Sequence, residues 1–473
     1  MTNKWLQKRF FVTMTALMLL ISQVIFPMHA KAAQVPSVWR GIVAANFTQA
    51  EQTSVEQMNV NNSYPMVERV YYSWDNHING NWEDSKVTTY ANLGYKIMVV
   101  LRYVPPTGDN GNIAAWVQWV QEAVKHYATL NNVNWIQVTN EANANLTSDS
   151  DGYYTNAEQA LVQGIIAAHQ VKVENGFNVG IGFNYYYGMG TQSDQAFWTS
   201  LGADGGPNFV QSLDWVGIDA YPGTYTLEPN GAYSAMHDAL VYMRDTCLPE
   251  ANIGNSVPLF VTETGFSVLG KSESTQADHM DAFWNAVWDL HRTLNIQMFI
   301  WFNQVDRSYW SLNPGDHMGL TDINYVPRIA WYDYQHLLGV PELTGNLALN
   351  MPTTASTQQS GHDANLATDG SGGTRWAASS GSDPQWLEVD LGSVQQINDA
   401  QIVWQWRNVQ YNYVIETSTD GVNWHVVVDK SNNQDLWMIQ NDAFASTLAR
   451  YVRITVYSGY QGWVSIREFR VYN

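Results

Sequence analysis

The sequence predicts an α/β fold, a (β/α)8 barrel, followed by an all-β sandwich. From about residue 39 to residue 339, short apolar runs of strand length alternate with segments that have helical spacing. Residues 345–473 differ, because they contain no convincing helix, several short strand-like runs and many turn residues. Strand–helix alternation of this length favours an eight-stranded barrel, whose active site lies at the carboxyl ends of the strands.

At 473 residues the chain is too long for one ordinary domain. We divide it into residues 1–32, 33–343 and 344–473. Residues 1–32 are typical of a signal peptide, because Lys4, Lys8 and Arg9 precede an apolar run that ends before a small-residue cleavage site. The alternative is a membrane anchor, but the apolar run is shorter than the roughly 20 residues of a spanning helix. We therefore expect a secreted, extracellular protein without a membrane span in its mature form.

Composition narrows the choice of partner. The formal net charge is -20, which makes nucleic acid an unsuitable ligand. The 21 Trp and 26 Tyr residues suit stacking on sugar rings, although packing in the core is the alternative role for each of them. Cys247 is the one cysteine, so no intrachain disulfide can form. We expect a monomer that binds a polysaccharide.

Eight apolar runs are candidate barrel strands. They span residues 41–46, 66–72, 96–102, 135–139, 178–183, 215–220, 259–262 and 297–301. Between them, apolar residues recur at helical spacing. The clearest examples are Ile113, Val117, Val120, Val124 and Tyr127, and further on Met280, Phe283, Val287, Leu290 and Leu294.

Two of these strands end in a glutamate. Residues 135–143 read WIQVTNEAN, so Glu141 follows the fourth strand, and residues 258–266 read PLFVTETGF, so Glu263 ends the seventh. Retaining glycoside hydrolysis needs two carboxyl groups about 5–5.5 Å apart across one glycosidic bond. The alternative is that either glutamate is a solvated rim residue or an ion-pair partner.

The pair of strand-end motifs, Asn140-Glu141 after strand four and Thr262-Glu263 after strand seven, resembles the clan A glycoside hydrolases, which are (β/α)8 (TIM barrel) retaining enzymes. The resemblance implies that Glu141 is the general acid/base and Glu263 the nucleophile. It implies that Asn140 hydrogen-bonds the sugar 2-hydroxyl and that Tyr221, after strand six, contacts the nucleophile. The alternative for Tyr221 is packing beside the following proline. This chemistry requires no metal or other cofactor.

Further substrate-binding residues are expected at other strand ends. Trp301, after strand eight, resembles the tryptophan beneath the sugar nearest the cut, and Arg102 ends strand three. The alternatives are a core role for Trp301 and an ordinary ion pair for Arg102. Asn184 and Tyr185 follow strand five, where many families of the clan place a histidine that is absent here.

Aromatic residues in the predicted strand-end loops favour an extended cleft. They are Trp74, Trp82, Tyr103, Tyr186, Tyr187 and Trp310, and His77 lies among them. Such a cleft suits an endo-acting β-glucanase or a related β-glycanase, while burial of loop aromatics is the alternative. The sequence leaves β-1,3- or β-1,4-glucan, mannan, galactan and chitosan open as substrates.

Four motifs mark the C-terminal segment. In chain order they read DGSGGTRW (369–376), QWLEVDLG (385–392), TSTDGVNW (417–424) and ARYVRI (449–454). They closely resemble the discoidin or coagulation factor 5/8 type C domain, which on bacterial glycosidases is a carbohydrate-binding module of family 32 type. The resemblance implies a structural Ca²⁺ with ligands from Asp369, Thr374 and Glu468, and the alternative is a metal-free turn capped by Asp369.

Loops at one end of the sandwich are expected to bind sugar. Candidates by residue type and predicted location are Trp406, Arg407, Trp437 and Tyr460. A protein or phospholipid partner is the alternative for this module. For the whole chain, the alternative to a glycoside hydrolase is a glycan- or cell-surface-binding protein with an inactive barrel.

Overall fold

We analysed a computed structural model of the chain. The structure describes residues 36–473 apart from 45–46, 61, 63, 78–81, 147–148, 189–191 and 382–383. The predicted signal peptide lies outside the described residues. Among the described residues, no helix combines the length and the apolar character needed to cross a membrane.

Eight parallel strands close into a barrel in sequence order, which confirms the predicted fold class. The strands are β1 (Trp39–Ile42), β2 (Val67–Ser73), β3 (Lys96–Arg102), β4 (Val133–Val138), β5 (Gly180–Tyr186), β6 (Trp215–Asp219), β7 (Leu259–Thr264) and β8 (Ile296–Trp301). Strand β8 pairs with β1, so the barrel leaves no open edge.

Helices connect the strands and surround the barrel. They are α1 (Gln49–Met58), α2 (Ser85–Asn92), α3 (Ile113–Tyr127), α4 (Ala157–Asn175), α5 (Gln192–Gln211), α6 (Ala232–Tyr242), α7 (Leu248–Glu250), α8 (Glu273–Leu290) and α9 (Ile329–Gly339). A π-helical turn, Met243–Cys247, joins α6 to α7. Short 3₁₀ turns cover Trp74–Asn76, Asp151–Tyr153, Pro314–His317 and Ala364–Ala367. Helix α3 has Asn112 as its N-cap and α8 has Ser272, and each side chain accepts a backbone N–H of the first turn.

Two apolar layers hold the barrel together. Met98, Phe260 and Met298 belong to a cluster inside the barrel, whereas their neighbours Val99, Val261 and Phe299 pack outside against the helices. Because a parallel strand is buried on both faces, its sequence is a continuous apolar run without alternating polar residues. This explains why strand-length apolar runs located all eight strands.

The C-terminal part is an antiparallel sandwich. Its strands are β9 (Thr353–Ala355), β10 (Trp376–Ala377), β11 (Gln385–Trp404), β12 (Asn412–Ser418), β13 (His425–Lys430), β14 (Ile439–Ser458) and β15 (Ser465–Tyr472). The path runs β10-β15-β11-β14-β12-β13, and β9 pairs with β11. Gly370 and Gly421, the second residues of the two predicted Asp-Gly turns, have φ values of 82° and 76°, a region that glycine enters at little cost.

Barrel and sandwich share apolar contacts. Val403, Met438 and Ile439 of the sandwich belong to the same buried cluster as the outer layer of the barrel. Polar contacts reinforce this junction, because His336 of α9 bonds the backbone oxygen of Ile439 at 2.7 Å and Arg470 of β15 pairs with Asp289 of α8 at 2.9 Å.

Candidate active site

A cleft of about 500 Å³ lies over the carboxyl ends of the barrel strands. Both predicted catalytic glutamates line it. Its lining includes Phe47, Tyr71, Lys86, Arg102, Asn140, Glu141, Asp149, Tyr186, Tyr221, Glu263, Phe302 and Arg307. This is the end of the barrel at which the strand-end motifs predict a site.

Three carboxyl groups meet at the bottom of the cleft. Glu141 lies three residues after the last residue of β4, Asp219 ends β6 and Glu263 lies in β7. One oxygen of each carboxyl group lies within 4.8 Å of the others. Folding thus brings Glu141 and Glu263 together, although they lie 122 residues apart in the sequence.

Cationic and hydroxyl donors hold Glu263. Arg69 of β2 donates from Nη1 to Oε1, and Tyr71 donates to the same oxygen at 2.6 Å. Tyr221 donates its hydroxyl to Oε2. Glu263 is only 5% exposed, so these three donors fix its orientation and compensate its charge.

The pKa values of the two glutamates shift in opposite directions. Burial alone would raise the pKa of Glu263, but the charge of Arg69 and the hydrogen bonds from Tyr221 and Tyr71 hold it below its ordinary value. Burial, with repulsion from Asp219 and Glu263, raises the pKa of Glu141 well above its ordinary value. The site therefore favours an ionised Glu263 beside a Glu141 that keeps its proton to higher pH than an ordinary glutamate.

Asp219 is a third acid that the sequence analysis did not assign. It is fully buried, accepts a hydrogen bond from Thr262 Oγ1 at 2.6 Å, and also accepts one from Asn184 Nδ2. Burial and the nearby charge of Glu263 raise its pKa well above the ordinary value.

An amide network fixes Asn140 next to Glu141. Its Oδ1 accepts from Asn184 Nδ2 at 3.1 Å and from Arg69 Nη2 at 3.3 Å. Asn184 Oδ1 in turn accepts the backbone N–H of Glu141 at 2.8 Å. With Oδ1 committed to these donors, the amide nitrogen of Asn140 is the group presented to a ligand in the cleft.

An ion pair supports the strained end of β4. Thr139 and Glu141 have φ values of 64° and 51°, in a region that non-glycine residues seldom adopt. Fully buried Asp151 accepts the backbone N–H of Asn140 at 2.7 Å and pairs with Arg102 at 2.9 Å. Arg102 therefore lies in the cleft, and its contacts with Asp151 support the backbone that carries Glu141.

Three predicted substrate-binding residues must be corrected, because they face away from the cleft. Trp301 is fully buried, and its indole donates to the backbone oxygen of Met318 at 3.3 Å. Tyr185 packs against Phe197 and Trp198 outside the barrel, and Trp74, 4% exposed, packs against Tyr103 and Trp116. Trp301 and Tyr185 point outward because successive side chains of a strand face opposite sides of the sheet. Their next neighbours in sequence, Phe302 and Tyr186, line the cleft instead.

The other loop aromatics also take mixed positions. Tyr103 is fully buried, Tyr187 packs partly buried against the outer core, and Trp310 is 93% exposed. Trp82 and His77 line a neighbouring pocket beside β2. Of the aromatic residues predicted for these loops, Tyr186 is the one that lines the main cleft. The sequence therefore predicted more stacking positions in the cleft than these residues provide.

Arg69 and Tyr71 are functional residues that the sequence analysis missed. Both lie on β2, whose sequence VERVYYS interrupts an apolar strand with charged residues. A charged residue inside a strand that is buried on both faces requires a partner of opposite charge. That signal was available in the sequence and would have pointed to the barrel interior.

The predicted sugar-binding residues of the sandwich fall into two groups. Trp406 and Tyr460 are 46% and 42% exposed, and their ring centroids lie 5.4 Å apart. Arg407 and Trp437 require correction, because they contact the barrel. Arg407 pairs with acids on α8 and α9, and Trp437 stacks on His336 with centroids 4.7 Å apart.

The three predicted metal ligands of the sandwich lie together. Thr374 Oγ1 lies 2.7 Å from Asp369 Oδ2, and Glu468 Oε1 accepts the backbone N–H groups of Gly370 and Ser371 at 3.1 Å. Burial raises the pKa of Glu468 well above its ordinary value. Its buried Oε2 accepts no hydrogen bond in the described chain and lies 3.6 Å from Nε of Arg470. An all-oxygen donor set with a buried Oε2 that accepts no hydrogen bond fits a hard cation such as Ca²⁺.

Comparison with known proteins identifies the C-terminal part. Residues 352–469 match the model of the F5/8 type C domain. No curated protein matches the chain.

Solved structures of carbohydrate-binding modules are similar to about a quarter of the chain. Chitosan-binding module 1 of the chitosanase/glucanase from Paenibacillus sp. IK-5 is 36% identical, with 28% of this chain and 100% of that chain covered and a TM-score of 0.26. Module 2 of that enzyme, solved with chitotriose, is 33% identical, with 27% and 100% covered and a TM-score of 0.25. The family 32 module of Clostridium perfringens NanJ, solved with galactose, is 26% identical, with 26% and 94% covered and a TM-score of 0.24.

Proposed function

We propose that this chain, a barrel joined to an F5/8 type C module at residues 352–469, is a secreted retaining glycoside hydrolase that cleaves a β-linked polysaccharide. One observation carries the proposal. Glu141 and Glu263 approach within 4.8 Å at the ends of β4 and β7, and their pKa values shift in opposite directions. That spacing suits the shorter carboxyl separation, about 5–5.5 Å, of double displacement better than the longer one of direct inversion.

In the first step Glu263 attacks the anomeric carbon of the bound sugar. Its lowered pKa keeps it ionised, and Tyr71, Tyr221 and Arg69 aim its oxygens. Glu141 gives its proton to the glycosidic oxygen as the bond to the leaving chain breaks. The products of this step are a glycosyl ester on Glu263 and a free chain end.

In the second step Glu141 acts as a base. Repulsion from ionised Glu263 is one cause of the raised pKa of Glu141. Because the ester on Glu263 carries no charge, this repulsion disappears and the pKa of Glu141 falls. Glu141 can then take a proton from water as the water attacks the anomeric carbon, which releases Glu263 with retained configuration.

Asn140 supports both steps. Its amide nitrogen is free to donate to the sugar 2-hydroxyl, while Arg69 and Asn184 hold its oxygen. Such a contact can strengthen in the transition state and so lower the barrier. No metal is part of this mechanism.

The cleft and the module support the polymer class that we propose. An open cleft of about 500 Å³ suits endo-acting β-glucanase or related β-glycanase activity. The exposed pair Trp406 and Tyr460 offers apolar ring faces with polar edges, the surface on which sugar rings stack. We propose that the module holds the polymer through this pair, and that the protein acts outside the cell as a monomer.

We further propose that Asp369, Thr374 and Glu468 bind a structural Ca²⁺ in the module. The bound cation would neutralise buried Glu468 and stabilise the fold without entering the reaction. Titration of the EDTA-treated protein with Ca²⁺ is expected to raise its unfolding temperature, and Glu468→Gln is expected to abolish that increase. An equal increase in the variant would contradict this site.

Reducing-sugar release from a panel of β-glycans tests the catalytic proposal. The mature protein is expected to cleave one polymer class, and Glu141→Gln and Glu263→Gln are expected to lose several orders of magnitude of kcat. Arg292→Gln, on an exposed residue after α8, is the matched surface control. Full activity in either glutamate variant would overturn the assignment. Binding of a glycan without any cleavage would instead favour a glycan-binding protein with an inactive barrel.

A further inference from the structure

Two cations in the cleft have no acidic partner. Lys86 of α2 and Arg307, beyond β8, both line it. Among the described residues neither side chain forms an ion pair or a hydrogen bond. Each lies instead against an aromatic ring: Lys86 Nζ is 4.7 Å from the centroid of Phe47, and the guanidinium carbon of Arg307 is 5.1 Å from that of Phe302.

This arrangement contrasts with the other cations around the cleft. Arg69 pairs with Glu263 and Arg102 with Asp151. The chain has 43 acidic and 23 basic residues, so acidic partners are abundant. The undescribed residues add a single acid, Asp383, which belongs to the sandwich segment. Lys86 and Arg307 therefore lack an ion-pair partner because of where they lie in the cleft, and not because the chain has too few acids.

No nearby acid forms an ion pair with either cation in the described part of the chain. Glu263 is compensated by Arg69, and the raised pKa of Glu141 favours the uncharged form of that side chain. Glu83 lies beside Lys86 in the adjoining pocket and accepts a hydrogen bond from Ser85 at 3.1 Å, without an ion pair to Lys86. Asp149 also lines the cleft, where Arg102 donates to its backbone oxygen at 2.7 Å, and no ion pair joins its carboxylate to Lys86 or Arg307.

Both cations line the cleft near tyrosines that hold Glu263. Phe302, beneath Arg307, packs edge-on against Tyr221, a hydrogen-bond donor to Glu263. Lys86 shares its stretch of cleft wall with Tyr71, the other tyrosine that donates to Glu263. Aromatic contacts hold a cation in place without neutralising it. A sugar chain bound in the cleft therefore meets two positive charges that no ion pair neutralises among the described residues.

We propose that the cleft takes a β-glycan whose sugar units carry anionic groups, uronate carboxylates or sulfate esters, and that Lys86 and Arg307 bind those groups. This inference rests on the proposed hydrolase function and names its substrate class. A neutral glucan lacks a group that pairs with these cations, and a cationic glycan is repelled by them. The net negative charge of the whole chain does not oppose the inference, because exposed charges beyond about 10 Å are largely screened at 0.1 M salt.

Polymers that share a backbone and differ in charge test the proposed preference for an anionic substrate. Initial rates of reducing-sugar release are measured on β-1,3- and β-1,4-glucan, on their 6-carboxylated derivatives and on their 6-sulfated derivatives. The carboxylated and sulfated arms distinguish the two anionic chemistries. For the preferred anionic polymer, Lys86→Gln and Arg307→Gln are each expected to raise KM about twofold to fivefold, the effect of one partly exposed ion pair. In 0.5 M salt this difference is expected to shrink.

Lys125→Gln and Arg292→Gln remove the same charge from exposed positions outside the cleft lining and serve as controls. Preference for the neutral polymer, or equal KM changes in cleft and control variants, would overturn the inference. If that result accompanies loss of activity in Glu263→Gln, the hydrolase function stands while the anionic substrate falls.

If the wild type cleaves none of the six polymers, the hydrolase proposal loses support and binding becomes the readout. Affinity for the carboxylated and sulfated glucans is then compared between Glu263→Gln and the double variant Glu263→Gln/Lys86→Gln. Weaker binding by the double variant would support the role of the cation, and equal binding would overturn it. The sandwich module is common to both proteins, so its own binding cancels in the comparison.

Discussion

Arg407 offers a sharp test of how the sandwich is joined to the barrel. The side chain comes from the loop after β11 and is 6% exposed. It lies 2.6 Å from Asp281 of α8, 2.6 Å from Asp333 of α9 and 2.9 Å from Asp278. The side chains of Asp281 and Asp333 are 5% and 7% exposed, so Arg407→Met leaves two buried carboxylates without their cation.

The burial of Asp281 and Asp333 sets the size of the stability loss that we expect from Arg407→Met. Removing one partner from a buried ion pair costs about 3–5 kcal/mol. Asp278 is 52% exposed and adds little, because solvent screens its charge. Arg407 Nη1 approaches Asp333 without the alignment of a hydrogen bond, which favours the lower end of the range. We expect Arg407→Met to lower the free energy of unfolding by about 3 kcal/mol at pH 8.

The penalty should depend on pH with a definite sign. Burial, together with repulsion from Asp281, raises the pKa of Asp333 to about 7 even though Arg407 opposes the shift. Without Arg407 this pKa rises further, so the folded variant binds more protons than the unfolded chain above pH about 4. Its stability therefore falls as the pH rises through the folded pKa, and the penalty is smaller at pH 5 than at pH 8.

Urea unfolding at the two pH values, followed by tryptophan fluorescence, measures this penalty. Arg292→Met, which removes an exposed arginine, is the matched control and should change the midpoint little. A penalty below about 0.5 kcal/mol at pH 8, or one that grows as the pH falls, would refute the reasoning.

Three further predictions concern the cleft and the module. Tyr71→Phe removes one hydrogen bond from Glu263, so kcat should fall about tenfold. Because that hydrogen bond also lowers the pKa of Glu263, the acid limb of the pH profile should move to higher pH. An unchanged acid limb would count against the contact. The alkaline limb of kcat/KM should report the raised pKa of Glu141, and Glu141→Gln should remove that limb from the residual activity; a persisting limb would point to another acid. Trp406→Ala should weaken binding to insoluble polymer in a pull-down assay and leave hydrolysis of short soluble oligosaccharides unchanged, and loss of both would indicate misfolding.

The barrel and the positions of both glutamates were accessible from the sequence because each depends on a local pattern. Apolar runs of strand length located all eight strands, and a glutamate at the end of two runs located the carboxyl pair. Orientation within a strand end was harder. Trp301 and Phe302 are adjacent apolar residues at the end of β8, and only the alternation of Met298, Ile300 and Phe302 toward the interior tells them apart.

The partners of charged residues could not be read from the sequence. Arg407 follows an exposed tryptophan and resembled part of a sugar platform, yet its partner Asp281 lies 126 residues earlier in the chain. Arg69 reaches Glu263 across 194 residues in the same way. Such contacts depend on the closure of the barrel and the docking of the sandwich, which no local pattern encodes.

The stereochemistry of the first product tests the central claim most directly. Proton NMR, recorded within the first minutes of cleavage of the best polymer in the panel, reports the anomeric configuration of the new reducing end before it equilibrates. Double displacement by Glu263 and Glu141 predicts that the β-anomer appears first. An initial α-anomer would show direct displacement by water and would contradict the nucleophilic role of Glu263.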